Sequence, residues 1–402
     1  MTLRISLLII FSSCVSQELS RQPLSPESQL SLYQYLKDLD TRLSLLSMPT
    51  GRYLRPTPRS VTRERHKFFA RLKRDTIYNP MLSYKKINTS FIKDNIKKLK
   101  SLSIQKTGLS GLFHEKKNGL IHMGLLILNR DSEDFTHYSS KVYPYPDEKT
   151  IAFAYQYLDS VRPEHLIKER LDATDRDLMA YFRRRLVSEG MSAWRVKLSH
   201  SRTARVAVNT AKSTIYIKKN EKYDSRLFAT YFIHEVLAHA RRSDSAEKSG
   251  WIILKQGTAN YHTTEEGFAM YLESIGSDLF HPTRLHLISA HIVAIDTART
   301  GTFHDIYTKL TRYHLSPRLA FEIALRVKSG LTDTSKPGVN TKTASYLMGY
   351  HLVKRYMDQG GKIEDFLHGK SDIQELKLVQ SLIRLKKLAD SRTKTPAQSA
   401  IP

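Results

Sequence analysis

Between Tyr231 and Arg242 the chain reads Tyr-Phe-Ile-His-Glu-Val-Leu-Ala-His-Ala-Arg-Arg. The stretch has the pattern of an amphipathic helix, with a His234-Glu235 pair and a second imidazole at His239, five residues after the first. That spacing constrains the fold. On a regular helix five residues turn through about 500°, so the two imidazoles diverge by about 140°. The familiar His-Glu-x-x-His pattern, with the histidines four positions apart, puts both on nearly one face. If His234 and His239 serve one centre, the helix must widen between them. A π-type turn of about 4.4 residues brings them within roughly 50°, and such turns occur at functional sites.

Two imidazoles beside a carboxylate are the ingredients of a catalytic zinc site. Such sites use about three protein ligands from His and carboxylate, and leave one position for water. A neighbouring carboxylate then takes the proton of the attacking water. Glu235 stands where that base belongs. A third ligand has to come from elsewhere, and Glu266 in Thr263-Thr-Glu-Glu-Gly-Phe-Ala-Met-Tyr271 is the best candidate. Glu265 and His262 compete with it. On a helix Glu265 points about 100° away from Glu266, so one carboxylate alone can face the metal. His262 stands ahead of the expected helix start, as a loop or rim residue would.

Charge narrows the partners. The 402 residues carry 64 Lys plus Arg against 39 Asp plus Glu, a formal net charge of +25. An excess of this size implies an anionic partner, and an acidic polypeptide fits as well as an acidic membrane surface. No nucleic-acid motif or interleaved aromatic pattern is present, so specific nucleic-acid binding is not expected. The one cysteine, Cys14, excludes an intramolecular disulfide and a Cys-rich zinc module. It follows a basic start (Met1–Arg4) and an apolar run (Ile5–Phe11) too short to span a bilayer. This reads as a leader over 1–16 resembling a lipoprotein signal, with Cys14 as the lipidated residue. Export or membrane anchoring is then expected, and a cytoplasmic location if the leader is not functional.

The rest of the chain reads mainly as helices. Residues 17–24 form a tether, and Ser25-Pro26 opens a helix that stops at Pro49-Thr-Gly51. Residues 52–75 are a basic strip, read either as a solvated face or as a docking surface, with a helix over Val61–Leu72; another helix runs over Ile92–Leu102. Gly108, Gly111, Gly119 and Gly124 suggest a turn and strands, the best at Leu120–Leu128. Helices follow from Asp147 and over Thr174–Ser188. Trp194–Leu198, Ala204–Val208 and Thr214–Ile217 are short, β-branched runs that read as a small antiparallel sheet. Asp224 or Ser225 then caps the His234 helix. Further helices are expected over 284–297, 303–315, 317–328, 341–356 and 373–388. The expected organisation is a leader (1–16), a basic helical region (17–130), a catalytic domain (131–390) and a disordered tail (391–402), in an α+β fold.

Three separated segments carry a resemblance. His234-Glu-Val-Leu-Ala-His239-x-x-Arg242, Thr264-Glu-Glu266-Gly-Phe-Ala269, and Arg326 through Ser335-Lys-Pro-Gly338-Val-Asn-Thr341-Lys342 to Tyr346 and Gly349 resemble the microtubule-associated tyrosine carboxypeptidase family, whose bacterial relatives carry a Gln-Glu-Gly-Leu-Ala motif. The similarity spans roughly residues 30–385 and shares the five-residue histidine spacing. It departs at Ser243-Asp-Ser and at Phe268, where Leu is common. The resemblance implies a zincin-like metallopeptidase, Zn2+ held by His234, His239 and Glu266, Glu235 as catalytic base, and removal of a C-terminal residue, tyrosine in the family's case, from an acidic tail such as that of tubulin. In zincins an edge strand can hold an extended peptide over the metal.

A carboxypeptidase also needs a cation for the terminal carboxylate. Arg326, Lys342, Arg242 and Lys336 are the candidates, together with the N–H groups of the helix expected at Thr341. Arg326 has a structural alternative, a buried pair with Asp333. Tyr346 is placed to donate to a developing oxyanion, or else is simply packed. The competing functions are an endopeptidase on the same site and a non-catalytic, structural-zinc protein that binds an anionic partner.

Overall fold

The computed structural model describes residues 25–47, 58–161, 166, 170–200, 204–277 and 280–393. The expected leader and tether, Arg52 and Arg55 of the basic strip, and the tail after Thr393 lie outside the described residues. Ser25 caps α1 (Pro26–Leu45) by accepting from the Ser28 N–H, with Pro26 in the first turn. In α2 (Val61–Leu72) the buried Glu64 accepts from Tyr78 Oη at 2.5 Å and from the Met81 N–H. Most of the basic side chains of this helix face solvent. In α3 (Ser90–Ser101) Ile92, Ile96 and Leu99 are buried.

The strand expected at Leu120–Leu128 is not formed. Residues Gly108–Leu128 are one helix, α4. Its buried positions Leu109, Leu112, Phe113, Lys116, Leu120, Gly124 and Ile127 recur at three- and four-residue intervals, a helical face. The glycines that suggested turns include one used for close packing: a Cβ on Gly119 would sit 3.4 Å from Ala259.

Beyond α5 (Phe135–Val142), Asp147 caps α6 (Glu148–Ser160), and Thr174 with Asp177 forms a capping box on α7 (Asp175–Ser188). A two-residue strand β1 (Ala173–Thr174) pairs with β5 (Lys222–Tyr223). The main sheet has the order β2-β4-β3, from Arg195–Ser199, Thr214–Lys218 and Val206–Asn209. It lies where the short β-branched runs put it. β3 and β4 are antiparallel, with Val206 opposite Ile217, while β2 runs parallel to β4. Ile215 and Ile217 on the central strand are fully buried, and they share an apolar cluster with Phe182 of α7 and with Phe232 and Val236. Each fully buried Phe contributes about 1.5–3 kcal/mol. The sheet is thereby fastened to the segment that carries His234.

That segment is α8 (Phe228–Phe232), a π-helix over Ile233–Ala240, and α9 (Arg241–Ser249). Next come α10 (Ile252–Gln256), α11 (Tyr261–Gly276), α12 (Leu285–Ala298), α13 (Phe303–Arg312), α14 (Pro317–Val327), α15 (Ala344–Asp358), α16 (Ile363–Phe366) and α17 (Leu376–Thr393). The last of these helices ends at Thr393. α12 is buried on nearly every face, as befits the central helix of a core. Leu36 and Leu39 of α1 share a core with Trp251 and with Val379 and Leu382 of α17, so the first and last described helices are joined. Among the described residues no helix is long and apolar enough to cross a membrane.

α11 and α15 cross at two glycines. A Cβ on Gly267 would lie 2.1 Å from the Gly349 carbonyl carbon, which no side chain permits. This contact fixes α11, and with it Glu265 and Glu266, against the rest of the molecule.

Candidate metal centre

The widening expected between the histidines is present. Residues Ile233–Ala240 are π-helical, and the imidazoles of His234 and His239 come together with ring centroids 4.9 Å apart. Each ring is steered from behind by a carboxylate of α11. His234 Nδ1 lies 2.6 Å from Glu273 Oε1, and His239 Nδ1 lies 2.8 Å from Glu265 Oε1. An arginine backs each carboxylate. Arg242 Nη1 is 2.6 Å from Glu265 Oε2, and Arg284 Nε is 3.3 Å from Glu273 Oε2.

With both Nδ1 atoms held, both Nε2 atoms turn to one point. Glu266 Oε2 faces the same point, 3.6 Å from His234 Nε2 and 3.8 Å from His239 Nε2. One ligand atom from each of the three residues lies within 4.8 Å of the others. These separations exceed a hydrogen bond, and Glu266 Oε2 is buried with no hydrogen-bond partner among the described residues. Donors on bonds of about 2.0–2.2 Å around a tetrahedral ion stand roughly 3.3–3.6 Å apart. The donor set and the orphaned oxygen fit a metal ion such as zinc, and the separations of 3.6 and 3.8 Å lie at or a little above that range. His imidazoles fixed by carboxylates are also the usual surroundings of such an ion.

The electrostatics agree. Burial disfavours a charged His234, yet Glu266 and Glu273 outweigh it and push the imidazole up to about 10. The pocket is built for positive charge. Burial likewise opposes ionisation of Glu265, but Arg242 and His239 hold its carboxyl down at about 2. Of the two adjacent glutamates, Glu265 faces His239 and Arg242 while Glu266 faces the centre, the divergence that helical geometry requires. His262 is not on a loop. It lies in the first turn of α11, with Nε2 3.5 Å from Glu266 Oε1.

The three residues open onto a cleft of about 440 Å³ that is also lined by Glu235, His262, Lys342, Tyr346 and Lys370. Its other wall is the outer strand β3, from Val206 to Val208, with Ala204 and Thr210 at the ends.

A family model for microtubule-associated tyrosine carboxypeptidases matches residues 66–400. The chain belongs to that family. A search of curated proteins finds no match. Membership implies carboxypeptidase-type chemistry.

Lys342 and Tyr346, expected from sequence, do line the cleft. Lys342 Nζ stands over the Tyr143 ring at 5.3 Å, and the Tyr346 ring lies under Arg284. The other three expected cations do not line it. Arg242 is 0% exposed, and it donates to the Phe366, Gly369 and Ser371 carbonyls as well as to Glu265. Its role here is to hold Glu265 and the 366–371 turn, away from the cleft lining. Arg326 is exposed at the end of α14 and is not buried against Asp333, whose carboxylate instead accepts from Ser335. Lys336 is 75% exposed and lies 4.0 Å from Asp333. The expected anion site at the Thr341 turn is also taken: Ser139 Oγ accepts the Thr341 N–H, and Asn340 Oδ1 the Lys342 N–H.

Sequence reasoning missed Glu273, Arg284, Thr210 and Lys370. A signal existed for Glu273. It lies seven residues after Glu266, about 20° away around a helix, so His262, Glu266 and Glu273 form one polar stripe. No local pattern marks Lys370. It enters the cleft because Gly369, at φ +135°, turns the chain there.

Proposed function

We propose that this chain is a zinc-dependent carboxypeptidase that removes a C-terminal residue, tyrosine by the family's name, from an acidic tail of tubulin type. The observation that carries the reading is the convergence of His234 Nε2, His239 Nε2 and the unpartnered Glu266 Oε2 on one point in a cleft that also holds Glu235.

His234, His239 and Glu266 would hold the ion, and zinc supplies Lewis acidity, polarising a scissile carbonyl and acidifying water. Glu235 accepts a proton from the attacking water and passes it to the departing amine. Tyr346, on the cleft wall, donates to the carbonyl oxygen as charge develops there. Glu265 and Glu273 keep the two imidazoles aimed. The outer strand β3 offers its edge to an extended peptide, so that the substrate adds as a further strand. The net charge of +25 draws an acidic tail toward the molecule.

The test is the intact mass of an acidic peptide ending in Tyr, incubated with zinc-loaded protein. Wild type is expected to shorten it by one residue and Glu235→Gln to leave it whole. Equal masses with both proteins overturn the proposal. Cleavage of the same peptide blocked as a C-terminal amide, at the same rate, would make the enzyme an endopeptidase.

A further inference from the structure

Among the described residues three lysines are buried: Lys116, Lys328 and Lys370. Lys116 Nζ donates to the Gly257 carbonyl at 2.5 Å. Lys328 Nζ donates to the Gly301 and Lys336 carbonyls at 2.8 and 2.7 Å. In both, main-chain oxygens fasten the ammonium, which is what burial of a charge demands. Lys370 differs. It is 9% exposed, it lines the cleft, and the side-chain bond that holds its Nζ is a long one, 3.3 Å to Thr210 Oγ1. An ammonium has three donors, so this arrangement leaves donor capacity on a side chain that lines the cleft.

Nor does the neighbourhood neutralise it. Glu265 is the carboxylate that acts on Lys370, and Glu265 already binds Arg242 at 2.6 Å and His239 at 2.8 Å. Arg242 adds a second positive charge beside it. Two cations therefore share one anion at this end of the cleft, and the cations expected from sequence at Arg242, Arg326 and Lys336 do not serve the cleft. Thr210, just after β3, lines the same cleft, and its hydroxyl oxygen accepts from Lys370.

We propose that Lys370 and Thr210 form a carboxylate-binding subsite inside the cleft. The proposal deepens the carboxypeptidase reading and rests on it for the identity of the ligand as part of a peptide. A carboxylate reaches the subsite from one of two places, the peptide's C-terminus or an acidic side chain just upstream of it. Lys370 supplies the charge and Thr210 a hydroxyl donor, while the edge of β3 holds the intervening backbone.

Binding separates this proposal from catalysis. In zinc-loaded protein carrying Glu235→Gln, fluorescence anisotropy would compare three labelled peptides. One ends in Glu-Glu-Tyr with a free carboxylate, one is its C-terminal amide, and one has both Glu replaced by Gln. With Lys370 present, the parent is expected to bind more tightly than at least one neutralised peptide. Lys370→Met is expected to weaken the parent at least tenfold and to erase one of the two differences; the difference erased identifies the source of the carboxylate. Lys370→Arg should restore part of the affinity, and Thr210→Val, which leaves the charge in place, should weaken the parent less than Lys370→Met. Unfolding midpoints and zinc content are measured on every variant. If Lys370→Met does not fold, the Thr210→Val and Lys370→Arg results decide. Unchanged parent affinity in Lys370→Met, retention of both differences, or no binding of the parent overturns the subsite. Discriminating binding without shortening by wild type would instead overturn the hydrolytic reading and leave the subsite standing.

Discussion

Arg242 Nη1 lies 2.6 Å from Glu265 Oε2, with side chains 0% and 5% exposed, so this ion pair is sealed inside the protein. Its other end is functional, because the second oxygen of Glu265 holds His239. Removing one partner of a buried pair leaves an uncompensated charge and costs about 3–5 kcal/mol. Arg242→Met is expected to lower the unfolding free energy by that amount in urea titration. Adding Glu265→Gln should recover part of the loss, since the two residues share one network.

If zinc binds as proposed, the Glu273 contact with His234 is expected to act on metal affinity more than on the fold. Loss of a carboxylate behind a ligating imidazole typically costs 10–100-fold in affinity. Glu273→Gln should show that loss in competition with a zinc chelator. An unchanged zinc affinity would mean that His234 is aimed by packing alone.

Zinc itself should stabilise the chain. A ligand at 1,000 times its dissociation constant adds about 4 kcal/mol to folding. Chelation is expected to lower the unfolding midpoint of the wild type and to leave that of His239→Ala nearly where it was, as read by calorimetry with and without chelator.

The α11–α15 crossing tolerates no side chain. Overpacking of a close contact costs about 1–3 kcal/mol, and here the clash at 2.1 Å is with backbone that cannot swing aside. Gly267→Ala should fall at or above the upper end of that range. It should also lower zinc affinity, because Glu266 precedes Gly267 in the chain.

A pH effect arises away from the centre. Burial pushes His291 down to about 3, and Arg326 and Arg284 add to the effect. In the unfolded chain the group titrates near 6.5. As pH falls below about 6.5 the unfolded state binds a proton that the folded state refuses. Stability then drops by up to about 1.4 kcal/mol per pH unit until about pH 3. His291→Leu should flatten the slope of stability against pH between 6 and 4. Equal slopes would count against the assignment.

Sequence periodicity carried most of the helices and the place of the sheet, because amphipathic faces, Ser and Asp caps and β-branched runs are local signals. It misread Leu120–Leu128, where glycines used for packing looked like turns. The grouping of His234, His239 and Glu266 was readable because the chemistry of His and Glu at fixed spacing is itself local. The cations of the cleft were readable only in part: Lys342 was, Lys370 was not. Whether an arginine is spent inside, as Arg242 is, or left at the surface, as Arg326 is, depends on which distant carbonyls meet it. Lys370 stands more than 100 residues beyond Glu266, and only the tertiary fold returns it to the cleft.

The π-helix at Ile233–Ala240 has a consequence for how such a motif arises. Five residues at about 4.4 per turn rotate through about 410°, and four residues of α-helix through about 400°. The helix on either side is therefore left in almost the same orientation by either spacing. Insertion or deletion of one codon between His234 and His239 would convert one zinc motif into the other while the flanking helices keep their packing partners. The two spacings are then neighbours in mutational terms, whatever separates the sequences around them.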